Sequence, residues 1–280
     1  FIKTPNESLP LFNGATSLKF SQIEKYLEDL KSNDKNNNLG GLFKIKYKNH
    51  FILIDVDKPP QKKFSKSYQS GPLSFEYFLD GLKIITNCGF GNKISSKAEL
   101  ISRLTASQST LTINETSVTK FERNKLINRV FGNSIKNSFK TNHLSIKDDE
   151  NFVGISISHN GYEKNFSCIH KREIYLDHKN NKIQGTDHIL KKSDGLPIKY
   201  VFRFHLNPEL SAIKTMSGNS ALIQISKNKS LIFTIANEKL EIERSIYLGG
   251  KKILDNTCIT ISGNLVNKDK LFNWEIKKKL

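Results

Sequence analysis

Short alternating segments separated by turn signals dominate the sequence from residue 42 to residue 278. Apolar and polar residues alternate in segments such as "FVGISISH", "IKYVFRFHL" and "SALIQIS", which is the pattern of a half-buried β-strand. Strands at such close spacing pair antiparallel and do not form βαβ units. We therefore predict an all-β fold, a large antiparallel multi-stranded β-sandwich with one or two short helices, as a single domain over residues 1–280.

The clearest turn signal is Asp80-Gly81, which lies between "LSFEYFL" and "LKIITNC" and predicts a tight hairpin. Helices are expected in two places, residues 21–31 and 96–104. In the second, Ser96 and Glu99 have the spacing of a capping box, with Ser96 as the N-cap. Residues 122–139 fit neither a helix nor a strand pattern clearly, and their assignment stays open.

A glycine turn, Gly89-Phe90-Gly91, follows the apolar strand at 84–86 and precedes the second predicted helix. This order is also that of a dinucleotide-binding turn, but the third glycine of that fingerprint is replaced by Ile94. The strand before the turn is the second arm of a hairpin, whereas the fingerprint belongs to a parallel βαβ unit. The sequence therefore argues against a nucleotide site, and the glycines permit a sharp exit from a buried strand.

The formal net charge of +17 has two explanations. A basic surface attracts an acidic polymer, but coding that favours Lys, Asn and Ile gives the same excess, and both explanations stay open. Nucleic acid is not an expected partner, because no RNP, OB or helix-turn-helix pattern is present. No apolar stretch is long enough to cross a bilayer. The three cysteines are far apart, which excludes a disulfide framework and a zinc ribbon.

Two segments resemble a known family. "LSFEYFLDGLKIITNCG" is similar to the strand pair "LSFEL…G…LLVDPG" of heparinase II/III-like proteins, and "SRLTASQSTLTINETS" is similar to their "R…TAAHNTLTVDG" segment. Weaker similarities follow in the family's order, at "SHNGY", "IHKREIYLD", "YVFRFHLNP" and the terminal "FNWEIK". The resemblance therefore spans most of the chain.

This resemblance implies the C-terminal β-sandwich of a two-part polysaccharide lyase, whose N-terminal α/α toroid would be absent from this chain. Such enzymes cleave uronic-acid-containing polysaccharides by β-elimination: a base removes the C5 proton and the C4 oxygen leaves. The C5 proton becomes acidic only when the neighbouring carboxylate is neutralised, so the site needs a carboxylate clamp and a Tyr or His for proton transfer. In this family the toroid supplies the Tyr and the clamp. The sandwich supplies a His and, in some members, a metal held by two His and one Asp.

The sequence departs from the family at these functional positions. The catalytic His position is Ser67, and the three metal-ligand positions are Gln69, Asn87 and Gln108. None of these residues is a general base near neutral pH, and neutral amides are poor ligands beside His and carboxylate. We therefore expect no metal and no other cofactor, and the catalytic residue stays unknown. The three amides are predicted to lie close together, as a hydrogen-bonded group that binds substrate.

Two further candidates for substrate binding are His159 and Tyr162. His159 precedes Asn160-Gly161, a turn signal, and this predicts either a loop that faces the cleft or a plain exposed turn. The ring of Tyr162 either stacks on a sugar or packs within its own hairpin.

The last two candidates are Arg203 and His205. Alternation places both on one face of a strand, and that face either binds an anionic sugar or faces solvent. His170 shares a strand face with Arg172, and a cross-strand polar pair is the favoured interpretation there.

Two classes of function follow. The first is the sandwich of a polysaccharide lyase, with an acidic polysaccharide and its own N-terminal toroid as partners. The second is a non-catalytic carbohydrate-binding or structural domain, which the replacements at Ser67, Gln69 and Gln108 favour for the isolated chain. The chain alone is expected to be inactive in either case. A bacterial periplasmic location is favoured over the cytoplasm.

Overall fold

The computed structural model describes residues 3–16, 38–192, 196–266 and 268–279, which are mainly β-strands. In chain order the strands are β1 Asn38–Leu39, β2 Leu42–Tyr47, β3 His50–Asp55, β4 Phe75–Leu79, β5 Leu82–Thr86, β6 Leu111–Ile113, β7 Thr141–Asp148, β8 Phe152–His159, β9 Cys168–Asp177, β10 Lys182–Lys191, β11 Ile198–Leu206, β12 Ser211–Lys214, β13 Ser220–Ser226, β14 Lys229–Ile235, β15 Glu241–Tyr247, β16 Leu254–Leu265 and β17 Lys270–Lys278.

These strands form two large sheets. The first has the order β1-β2-β3-β4-β5-β11-β16-β15, with β6 paired to β11, and the second has the order β12-β13-β14-β17-β10-β9-β8-β7. Every strand pair among the described residues is antiparallel. The predicted antiparallel β-sandwich is confirmed, and β5 lies antiparallel to both its neighbours, so the glycine turn after it is not part of a βαβ unit.

The Asp80-Gly81 hairpin is also confirmed. Both residues have positive φ, 53° and 82°, which is the backbone of a type I′ turn and matches the twist of the strands it joins. Glycine takes this conformation without steric cost, and Asp tolerates it better than most residues.

In the described parts of the chain, three short α-helices connect the strands: α1 Ser96–Ser102, α2 Lys125–Phe131 and α3 Glu163–Phe166. The N-cap of α1 is Ser95, whose hydroxyl accepts from the N–H of Ala98, so the predicted cap at Ser96 was wrong by one residue. Helix α2 lies in the segment that the sequence left unassigned. The helix predicted over residues 21–31 lies outside the described residues.

The core fills the space between the sheets with aromatic rings from both. Trp274 of β17 stacks on Phe75 of β4, with ring centroids 5.6 Å apart, and meets Phe204 of β11 at 5.2 Å. Fully burying one such side chain stabilises the fold by about 1.5–3 kcal/mol. No helix in the described part of the chain is long and apolar enough to cross a membrane.

Candidate functional site

Three segments distant in sequence meet beside the first sheet. The Ser70 N–H donates to the Arg103 carbonyl at 2.9 Å, and the Thr105 hydroxyl donates to the Ser70 carbonyl at 2.6 Å. The Cys88 N–H donates to the Ser107 carbonyl at 2.9 Å. These bonds join the loop before β4, the end of β5 and the turn after α1, which are the segments that contain the predicted amide positions.

The structure brings those three amides into one buried group, the amide cluster of Gln69, Asn87 and Gln108. Gln69 Nε2 and Gln108 Nε2 both donate to the carbonyl of Ser102, at 3.0 and 2.8 Å. Asn87 Oδ1 accepts from the N–H of Ser109, the residue after Gln108, at 2.9 Å. All three side chains are at most 2% exposed. The amide cluster therefore holds the backbone at Ser102 and Ser109 in place. Its role in substrate binding stays a prediction.

The amide cluster does not fit a transition-metal ion. Gln69 Oε1 already accepts from the Gly14 N–H at 3.0 Å, and Asn87 Oδ1 is likewise engaged. The buried Nδ2 of Asn87 has no hydrogen-bond partner among the described residues, and a donor placed there opposes a cation. Neutral amides also supply no negative charge to offset the loss of the ion's water.

Ser67 lines a small pocket of about 250 Å³, here called the Ser67 pocket, together with Asp55, Asp57 and Tyr68. Burial raises the pKa of Asp55 to about 8, against the opposing effect of its bond from the Asp57 N–H. Burial also raises the pKa of Tyr68 well above its usual value, and its hydroxyl has no described partner. Burial therefore favours the protonated form of both groups at neutral pH.

Sequence reasoning missed Asp55 and Tyr68. For Asp55 the available signal was a carboxylate directly after the apolar run "FILI" in the strand "HFILID", all of whose residues are buried. A buried carboxyl with a raised pKa in a cleft is a candidate for a functional site.

His159 and Tyr162 are not exposed, and both forms of the turn prediction for His159 were wrong. His159 ends β8 and is 1% exposed, because the ring of Phe139 covers it at 5.5 Å between centroids and His170 at 5.3 Å. Burial, followed by the neighbouring His170 and then by the charge of Arg172, holds the pKa of His159 well below its usual value. The Tyr162 hydroxyl reaches a backbone carbonyl at 3.0 Å, so this ring packs inside the fold.

Arg203 and His205 share one face of β11, as alternation predicted, but they differ in exposure. Arg203 is half-buried and donates to the Thr112 hydroxyl at 2.7 Å. His205 is 2% exposed, and its ring nitrogens lie 3.0 Å from the Ala106 carbonyl and 3.0 Å from the Ser245 hydroxyl. Burial lowers the pKa of His205 to about 4, so the ring is neutral near physiological pH.

The predicted cross-strand polar pair at His170 is confirmed as part of a larger group, here called the ionic cluster. Its members are His170 and Arg172 of β9, Asp187 of β10 and Trp274 of β17. Asp187 Oδ1 accepts from His170 and from Arg172 Nε, both at 2.7 Å, and its Oδ2 accepts from the indole N–H at 2.9 Å. Burial alone would raise the pKa of Asp187, but Arg172 and His170 outweigh it and hold that pKa at about 2.

A larger groove, here called the basic groove, has a volume of about 700 Å³ and is lined by Lys120, Asn137, Ser138, Phe139, Lys140, Asn160, Gly161, Glu163, Lys164 and Asn165. The carboxylate of Glu163 is engaged by Lys192 at 2.6 Å, so the rim is positive overall. Thr119, next to Lys120, donates its N–H to the Ser70 hydroxyl at 2.9 Å. The groove therefore adjoins the segment that contains Ser67 and Gln69.

Solved lyase structures share this fold. The chain is similar to the heparan sulfate lyase HepC from Pedobacter heparinus, with a TM-score of 0.75 and 15% identity over 99% of this chain and 45% of that one. It is also similar to the heparinase III-BT4657 gene product, with a TM-score of 0.74 and 11% identity over 99% and 44% of the two chains. A structure of heparinase III is also similar, with a TM-score of 0.71 and 14% identity over 99% of this chain and 46% of that one. This chain thus spans less than half the length of these structures.

The family model described as heparinase II/III-like, C-terminal, matches residues 30–275. The chain therefore belongs to the heparinase II/III-like family. No curated protein matches it.

Proposed function

We propose that this chain is the sandwich part of a polysaccharide lyase that cleaves a uronic-acid-containing polymer by β-elimination. The observation that carries the proposal is the family match over residues 30–275. The basic groove supports it, because a concave surface lined by exposed cationic side chains attracts a polyanion.

In this proposal the basic groove holds the acidic chain beside the Ser67 pocket. Lys120, Lys140 and Lys164 are exposed and meet the carboxylate or sulfate groups of the polymer. The polymer then lies next to the loop of residues 67–71, where the family has its catalytic His.

The Ser67 pocket is proposed to supply a hydrogen-bond donor. Burial favours the protonated form of Asp55, which is proposed to donate to the substrate's uronate and so to assist the carboxylate clamp of the toroid in making the C5 proton more acidic. Ser67 has no basic group, so the base is proposed to come from the N-terminal toroid that the family resemblance implies. The amide cluster is proposed to work without a metal, by holding this loop in place.

A second function is a carbohydrate-binding domain without chemistry of its own. The observation that favours it is the amide cluster, which occupies the family's ligand positions and is engaged with backbone. The full-length protein would then bind acidic polysaccharide without cleaving it. The periplasm stays the proposed location under both functions.

The test compares residues 1–280 with the full-length protein on heparan sulfate and on alginate, by the ultraviolet absorbance of the unsaturated product. We expect binding without turnover from residues 1–280, and turnover from the full-length protein. Binding without turnover by both proteins would favour the second function. Turnover by residues 1–280 alone would contradict the proposal that the toroid supplies the catalytic base.

A matched pair of charge variants tests the basic groove. Replacing Lys120 and Lys140 by Glu is expected to weaken heparan sulfate binding about tenfold. Replacing Lys227 and Lys251, which are exposed elsewhere, changes the net charge equally and is expected to have a small effect. Equal losses from the two variants would mean that only the overall charge attracts the polymer.

A further inference from the structure

The outer face of the second sheet carries a groove of about 350 Å³ that crosses four neighbouring strands, β14, β17, β10 and β9. We call it the outer groove. Its lining is Tyr175, Gln184, Gly185, Thr186, Thr234, Ala236, Asn273, Trp274 and Glu275. It shares no lining residue with the basic groove or the Ser67 pocket.

Strand register aligns hydroxyl and amide groups across this groove. Gln184 lies opposite Tyr175 on one side and opposite Glu275 on the other. Thr186 lies opposite Asn273, and their side chains are hydrogen-bonded at 2.9 Å. Because neighbouring strands are about 4.8 Å apart, the row from β9 to β14 is about 14 Å long. Hydroxyl and amide groups can both donate and accept, which is what the hydroxyls of a sugar require.

One wall of the outer groove is an aromatic platform. Tyr175 faces Gly154 of β8 in the register, and a Cβ added to Gly154 would come within 2.4 Å of the Tyr175 ring. The ring therefore packs over the glycine, and it is only half-buried. A side chain at residue 154 would displace the ring. An accessible aromatic face beside polar groups is a surface on which the apolar C–H face of a pyranose stacks.

The outer groove offers no free charge. Among the described residues that line it there is no Lys, Arg or His, and its one carboxylate is engaged on both oxygens. Lys182 Nζ lies 2.6 Å from Oε2 of Glu275, and Lys277 Nζ lies 2.8 Å from Oε1. An anionic sugar would find no free cation to attract it in such a lining. A neutral sugar with many hydroxyl groups does not need one, because it binds through hydrogen bonds.

We propose that the outer groove binds an uncharged segment of a glycan, as a second carbohydrate site separate from the basic groove. The sugar ring stacks on Tyr175, and its hydroxyls bond to Gln184, Thr186 and Asn273. The proposal does not depend on lyase activity.

Binding to the outer groove is measured by isothermal titration calorimetry, because the Trp274 indole points into the core, where it stacks on Phe75, and does not face the groove. Neutral hexasaccharides of glucose, xylose and mannose are titrated into residues 1–280 while the heat of binding is recorded. We expect a saturable change with at least one of them, and the same affinity at low and high salt. No change with any of the three would overturn the proposal, as would a saturable response confined to an acidic hexamannuronate and abolished by salt.

Variants then assign the signal. Tyr175→Ala is expected to weaken binding about tenfold or more, whereas Tyr175→Phe, which keeps the ring, stays within about threefold of the unmodified chain. Thr186→Val should weaken binding without disturbing the platform. The control Phe64→Ala removes an exposed aromatic ring that lies outside the outer groove and is expected to have no effect. Unchanged affinity in folded Tyr175→Ala, or an equal loss in Phe64→Ala, would refute the assignment.

Discussion

The amide cluster and the ionic cluster are both buried and polar, but they stabilise the fold in different ways. The amide cluster is neutral and bonds mainly to the backbone of loops. The ionic cluster joins side chains of three strands, and Arg172 Nη1 also donates at 2.8 Å to the carbonyls of Leu73 and Ser109, outside the second sheet. A neutral cluster can lose one member and leave an unpaired dipole, whereas the ionic cluster would leave an unpaired charge.

The largest loss of stability is expected from Asp187→Asn. It removes the negative charge that balances Arg172, and breaking a buried ion pair costs about 3–5 kcal/mol of the free energy of unfolding. The measurement is chemical denaturation of the purified chain. The matched control is Glu173→Gln on the outer face of β9, whose carboxylate pairs with Lys171 and is part-exposed; there we expect less than about 1 kcal/mol. Similar costs for the two variants would remove the distinction between buried and surface charge.

A fall in pH is expected to destabilise the fold by protonating buried histidines. The side-chain amides of the amide cluster do not titrate between pH 4 and pH 7. Burial lowers the pKa of His205 from 6.5 in the unfolded chain to about 4 in the fold. The neutral ring therefore contributes stability above pH 6.5, and this contribution is lost as the pH falls towards 4, with a total of about 3 kcal/mol. Thermal unfolding of the unmodified chain and of His205→Gln over this interval checks it. If His205→Gln loses stability with falling pH as steeply as the unmodified chain, groups other than His205 determine the pH dependence.

Gln69→Leu should cost less than breaking the ion pair. It leaves the Gly89 carbonyl without the Gln69 donor and takes one of two side-chain donors from the Ser102 carbonyl, for an expected loss of about 1–3 kcal/mol. Gln61→Leu is the control, since Gln61 is exposed and its side chain makes no capping bond. If Gln69→Leu is as stable as the control in chemical denaturation, the amide cluster does not hold the loop.

An effect of the opposite sign is expected at Asp55. Because the folded pKa of Asp55 is raised to about 8, its ionisation opposes folding increasingly as the pH rises from 3.8 to 8. Asp55→Asn mimics the protonated form, and the linkage used above for His205 gives a gain in stability at pH 8 on the order of 5 kcal/mol. The gain should vanish near pH 4, which thermal unfolding at the two pH values will show. A loss of stability at pH 8 would mean that the carboxylate is needed in the fold.

The features predicted correctly depend on local sequence or on the family motif. Asp80-Gly81 specifies its turn with two residues, and the alternation along β11 places Arg203 and His205 on one face. The cap of α1 was misplaced because Ser95 and Ser96 are both serines, and only the hydrogen bond to Ala98 separates them.

The errors concern side chains covered by distant parts of the chain. His159 follows a strand and precedes a turn signal, but Phe139 and His170 cover it from other segments. The Ser67 pocket likewise brings Asp55 beside Tyr68, across a loop with no regular pattern. Such burial depends on how the sheets and loops pack, which no window of sequence contains.

The position of β17 affects how the protein is made. This strand, Lys270–Lys278, comes later in the chain than every other strand of the second sheet, yet it lies in the interior of that sheet between β14 and β10. Until a ribosome has released residues 270–278, β12 to β14 and β7 to β10 are two separate pieces with open edges. Exposed edges of this kind are where chains pair with one another by mistake. The nascent chain therefore remains at risk of aggregation until residues 270–278 have left the ribosome.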